Sequence, residues 1–190
     1  HTDDTRLSTQ EVLSALGIAV STRTQAIAKG EVVFAPTRLL CEGIWSLLQV
    51  RRQTGLRNSA HSLVKLMNPV LGPSIQVASY THPEYALSMQ ATLEGMKANA
   101  LLLRGTEGEV VADARRMPPM DGFLQGHRIA LETTQSGTLA SLPDLPKAID
   151  AATTAAYTEA VLAGRQAVPT PIARQVEHIL QLTKKMISAS

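Results

Sequence analysis

Ala100-Leu101-Leu102-Leu103 is an unbroken apolar run, and it narrows the fold more than any other feature of the chain. A strand with one wet face alternates apolar and polar side chains, so a run with no polar member must be covered on both faces. Helices supply that cover, and the flanking sequence provides them. Ile75-Gln76-Val77-Ala78 reads as an earlier strand, and Pro83 suits the first turn of a helix reaching about Lys97. Strand, helix and strand at these lengths imply a right-handed crossover and parallel pairing.

Upstream, Ser8 and Glu11 have capping-box spacing ahead of Val12, Leu13 and Leu16, a short helix stopped by Gly17. Residues 31–34 read as a buried strand ending at Ala35-Pro36. Leu40, Ile44, Leu47 and Leu48 then keep helical spacing through 37–54, with Gly55 as the stop and a second short helix over 59–67. Beyond Gly105, residues 109–112 and 127–131 look like short strands with Met117-Pro118-Pro119 as a turn between them. Residues 142–146 form a loop, and helices follow over 147–163 and 171–187. The expected fold is α/β, a largely parallel sheet flanked by helices in one domain over residues 1–190.

At 190 residues, with 44% apolar and 18% charged residues, the chain can bury one proper core. No stretch approaches the roughly 18 apolar residues that span a bilayer. The polar, acidic start His1-Thr2-Asp3-Asp4 is unlike a secretory leader. Cys41 is the single cysteine, which suits a reducing cytoplasm. The chain opens on a helix without an initiator methionine, and is read as part of something longer.

A net charge of +2 says little about a polyanionic partner; the distribution says more. Arg51, Arg52, Arg57 and Lys65 share a segment with no acid, and Arg104, Arg115, Arg116 and Arg128 form a second basic group. In an open parallel sheet ligands collect beyond the carboxyl ends of the strands. Those ends lie at Ala35-Pro36-Thr37, Tyr80-Thr81-His82 and Arg104-Gly105-Thr106-Glu107-Gly108. The two glycines of the last let backbone amides approach an anion, although a Gly-x-x-Gly turn is more often only a tight turn. Arg57, Asn58, Ser59 and His61 surround a helix start, where amides favour negative charge. Arg57 and Lys65 add phosphate or carboxylate donors. His61 equally suits the satisfaction of a buried carbonyl, and His82, before Pro83, suits a helix cap. No two histidines have metal-ligand spacing with a carboxylate, so no zinc site is expected.

At these residues the chain resembles the anthranilate phosphoribosyltransferases and the wider glycosyltransferase family 3. The resemblance rests on Phe34-Ala35-Pro36, on Gly55-Leu56-Arg57-Asn58 leading to Asn68-Pro69, and on the strand end Leu101-Leu102-Leu103-Arg104-Gly105. It is nearest to a paralogous branch that shares Arg57-Asn58-Ser59-Ala60-His61, His82-Pro83-Glu84-Tyr85 and Gly105-Thr106-Glu107-Gly108-Glu109-Val110. The resemblance implies a nucleoside phosphorylase/phosphoribosyltransferase-like domain in a cytoplasmic homodimer. It further implies binding of DNA, with RNA as a second ligand, without sequence preference and without transferase activity. The helical domain that forms the dimer, and a first strand with a Gly-rich phosphate loop, would lie upstream.

The chain departs from the enzymes in two places. Leu39-Leu40 stand where they carry His-Pro, and Glu109, Val110 and Val111 align with the Leu-Asp-Glu whose carboxylates hold magnesium on the diphosphate. Valine has no oxygen to offer magnesium. Without the metal, pyrophosphate departure loses its main charge stabilisation. Two expectations follow. In the first, Arg51, Arg57, Asn58, His61, Lys65, Arg104, Gly105 and Thr106 meet nucleic acid or another anion, with no cofactor. With aromatics at 3%, base stacking is then expected to add little. In the alternative, a local shift brings Glu107 and Glu109 to magnesium, and the protein is a transferase using phosphoribosyl pyrophosphate.

Overall fold

The computed structural model describes residues 7–106, 109–139 and 142–189. In chain order its elements are α1 (Thr9–Ala15), α2 (Thr37–Leu40), α3 (Glu42–Thr54), α4 (Ala60–Leu63) with a 3-10 turn at Val64–Leu66, β1 (Gln76–Tyr80), α5 (Pro83–Gly95), β2 (Ala100–Arg104), β3 (Met120–Leu124), β4 (His127–Glu132), α6 (Ala151–Leu162) and α7 (Thr170–Ser188). They fall into two compact units, residues 1–69 with 145–167 and residues 70–144 with 168–190. No helix among the described residues is long and apolar enough to cross a membrane.

The first unit is helical. The expected capping box is present: the Glu11 amide donates to Ser8 Oγ, and Glu11 Oε2 accepts from the Ser8 amide at 2.7 Å. α1 packs on α6, and α2 and α4 pack on α3. Asp150 caps α6 by accepting from the Thr153 amide at 2.7 Å, so that helix starts a turn later than its apolar pattern suggests. Residues 31–34 form no strand. Phe34 makes a single parallel bridge to Val20 and Val32 lies exposed, because no neighbouring strand completes a ladder.

The second unit carries a four-stranded sheet in the order β1-β2-β3-β4. It is mixed rather than largely parallel: β1 and β2 run parallel, while β2–β3 and β3–β4 are antiparallel. The reason lies in the connections. α5 carries the chain from β1 back to the start of β2, whereas among the described residues no helix bridges β2 to β3, and β3 runs in the opposite sense. Between β3 and β4 only two residues turn, Gln125 at φ 51° and Gly126 at φ 80°, the left-handed pair that a tight hairpin uses. A Cβ on Gly126 would stand 2.6 Å from the Glu94 carbonyl oxygen.

β2 is covered on both faces, as its composition requires. Leu101 and Leu103 join Met120, Ala112 and Leu182 of α7 in one buried cluster. Leu102, fully buried and pointing the other way, faces the side taken by α5, which packs on β1 and β2. Each such leucine contributes about 1.5–3 kcal/mol by leaving water. Gly122 makes the α7 contact close, since a Cβ there would meet Leu182 Cδ2 at 2.9 Å. Residues 109–112 are not a strand either. The buried Gln175 of α7 takes their backbone instead, accepting from the Ala112 amide at 2.8 Å and donating to the Val110 carbonyl at 2.7 Å.

Candidate functional site

In the first unit the selected residues gather at the end of α3. Arg51 and Arg52 occupy its last turn, and Gly55 ends it at φ 71° with its amide on the Arg51 carbonyl. The next turn is held from inside by Asn58. Its Nδ2 donates to the Leu47 carbonyl at 2.7 Å and its Oδ1 accepts from the Ala60 amide at 3.0 Å. The His61 amide donates to the Asn58 carbonyl, and the Ser62 and Leu63 amides to that of Ser59. The amides at the start of α4 therefore serve the turn itself, and α4 is only four residues long. The helix-start anion site expected here is spent on local structure, which leaves side chains to meet any ligand.

His61 turns its Nδ1 onto the Asn58 backbone, 3.3 Å from the amide and 3.2 Å from the carbonyl, while its Nε2 is buried with no hydrogen-bond partner. Burial first, and then the positive charges of Arg51 and Arg57, hold its pKa below the ordinary imidazole value against the support of the Asn58 backbone. Its neutrality follows from that. Arg57 itself is exposed, and no carboxylate among the described residues pairs with it. Lys65 sits half-buried in the 3-10 turn that follows. A cavity of about 360 Å³ elsewhere in this unit is lined by residues 17–23 and 31–33 with Gln25, and none of the selected residues borders it.

In the second unit they gather beyond β2. Pairing places Arg104 opposite Tyr80, and the Gly105 amide donates to the Tyr80 carbonyl at 2.9 Å. Gly105 has to be glycine, because a Cβ would stand 2.7 Å from the Glu109 carbonyl oxygen and 3.3 Å from Glu109 Oε1. That carboxylate is engaged: Glu109 Oε1 accepts from the Thr106 amide at 2.7 Å and from its hydroxyl at 2.8 Å. The amide that an external phosphate would use is thus covered by the chain's own anion. Val110 and Val111 beside it bring no oxygen ligand in their side chains. The described residues of this turn do not fit a magnesium ion, and no group of three or more His, Cys, Asp or Glu among the described residues is placed to hold a metal. Glu107, the other metal candidate, and Gly108 lie outside the described residues.

The structure also sorts the second basic group. Arg115 grips Asp113 with two bonds of 3.0 and 3.2 Å. Burial opposes the Asp113 charge, but Arg115 outweighs it and holds that carboxyl below its usual value. Arg116 donates to the Gln135 and Gly137 carbonyls, and Arg128 holds the buried Asp121, which also accepts from Gln90. These three arginines are engaged by the chain's own groups. Arg104 is exposed and, among the described residues, has no acid partner. His82 stands at the N-cap position of α5 but makes no capping bond. Its ring instead meets Tyr85 edge-on, a contact the low aromatic content did not foreshadow.

No family model matches this chain. It is similar to the uncharacterized protein YbiB of Escherichia coli (strain K12), with 33% identity over 194 residues that take in 99% of this chain and 60% of that protein. The chain therefore spans about 60% of the length of the curated relative it matches.

Proposed function

We propose that this chain is part of a YbiB-type paralogue of the anthranilate phosphoribosyltransferases, and that it binds DNA, and RNA as well, without sequence preference and without a transferase step. One observation carries the reading: each unit presents an arginine, Arg57 in one and Arg104 in the other, exposed and without an acid partner among the described residues. Guanidinium groups held this way suit phosphate oxygens and carry no base information. Arg51 and Lys65 flank Arg57 in sequence and extend the positive stretch. Glu109 serves Thr106, which argues against the magnesium-diphosphate chemistry of the related enzymes. The cytoplasmic homodimer belongs to the same proposal and rests on the resemblance alone.

The test is a salt titration of DNA binding by the whole protein, with duplexes of unrelated sequence. Four cations on phosphates of a duplex predict a log–log slope of roughly −3.6, nearly the same for every sequence. A flat slope, absence of binding, or turnover of phosphoribosyl pyrophosphate would contradict the proposal.

A further inference from the structure

We infer that the rings of His82 and Tyr85, beside Arg104 at the carboxyl end of β1 and β2, form a stacking seat for one unpaired base of a single-stranded nucleic acid whose flanking phosphate meets Arg104. The inference rests on the proposed function and narrows it, since a duplex already stacks its bases on each other and offers a side chain no free base face.

The seat is built by the one parallel pairing of the sheet. Tyr80 ends β1 opposite Arg104, and two residues later His82 opens α5. Tyr85 lies in the first turn of that helix, with its amide donating to the His82 carbonyl at 3.0 Å. The two rings meet edge to face at 6.2 Å between centroids and 63° between planes, a favoured aromatic arrangement in which each ring steadies the other. A tyrosine with its ring already steadied loses little conformational freedom when it takes a ligand. Tyr85 nevertheless keeps 47% of its surface in solvent, against 8% for Tyr80 on the neighbouring strand. Its ring is held but not used by the core.

Charge assigns the two halves of a nucleotide. The start of α5 would ordinarily attract a phosphate, but Glu84 occupies its first turn and repels one. Arg104 ends β2 opposite Tyr80, is exposed, and has no acid partner among the described residues. The backbone then goes to Arg104, and the uncharged base goes to the rings. Stacking on an aromatic ring tolerates any base, which agrees with binding that ignores sequence.

The experiment measures affinity of the whole protein, by fluorescence anisotropy, for an oligothymidine, an abasic strand with the same number of phosphates, and a duplex. Tyr85→Ala should weaken the oligothymidine about 5- to 10-fold while duplex affinity stays within about twofold. Tyr85→Phe should keep the wild-type affinity. The abasic strand should bind the unaltered protein as weakly as oligothymidine binds Tyr85→Ala. Equal losses on strand and duplex, equal binding of abasic and normal strands, or thymidine monophosphate competing as well as the strand would overturn the inference. If salt-dependent binding persists but is indifferent to the base, the inference fails and the proposed function stands. If the unaltered protein binds none of the three, both fall.

Discussion

The turn after α3 and the turn after β2 carry comparable promise as anion sites in the sequence, and the structure separates them. Around Asn58 the backbone amides close on carbonyls of their own turn, and Arg57 is left facing water. Around Gly105 the amide and hydroxyl of Thr106 are taken by a carboxylate four residues beyond the glycine. The first turn is satisfied by neutral groups and keeps its positive charge available. The second is satisfied by a negative charge of its own, and among its described residues Arg104, just before it, is left to face a ligand. A turn's capacity for anions therefore depends less on its glycines than on whether the chain has an acid within reach.

The sharpest way to break the comparison is Gly105→Ala. The added Cβ would meet a backbone oxygen at 2.7 Å, so the Glu109 seat must open. The expected loss is about 2 kcal/mol in denaturant unfolding, and an unchanged midpoint would show that the turn is not closed as described. Asn58→Ala should cost about 1 kcal/mol by the same measurement, since it removes the bonds to Leu47 and Ala60 together. Asn58→Asp should recover only the part carried by Oδ1.

A smaller effect separates the turns by pH. His61 has a folded pKa below its unfolded value of 6.5, so the unfolded chain takes up its proton first. Stability should fall as pH drops through about 6.5 and below, and His61→Gln should flatten that part of the profile. A steeper fall in the variant would show that the imidazole is stabilised as a cation. Binding of an anion at Arg51 and Arg57 should raise the His61 pKa and draw in a proton. Smallest is Glu109→Ala, which uncovers the Thr106 amide and removes a negative charge. DNA affinity should rise about two- to fivefold, and a loss of affinity would mean that the carboxylate supports the ligand rather than standing in for it.

Much of the second unit was legible in the sequence because its information is local. The apolar run of β2, Pro83 at the head of α5 and the amphipathic spacing of α7 each state their own structure. β3 is the opposite case. Met120-Asp121-Gly122-Phe123 looks unlike a strand, since Asp and Gly favour turns. Gly122 is required by Leu182, and Asp121 by Arg128 and Gln90. Leu182 and Gln90 lie far along the chain and Arg128 lies across the hairpin, so no local pattern encodes them. Residues 109–112 err the other way, with strand-forming side chains whose backbone bonds go to Gln175. The same holds for the site. In sequence Arg104, Arg115, Arg116 and Arg128 are equivalent cations. Only Asp113, the carbonyls of Gln135 and Gly137, and Asp121 show that three of them are committed to the fold.

The most direct test of the account compares arginines that face outward with one that holds the fold. It is the salt dependence of duplex DNA binding by the whole protein carrying Arg57→Ala, Arg104→Ala or Arg116→Ala. The account predicts that the first two each flatten the log–log slope by about one, while the third leaves the slope alone and lowers the unfolding midpoint. A slope that changes with Arg116→Ala, and not with Arg57→Ala or Arg104→Ala, would contradict it.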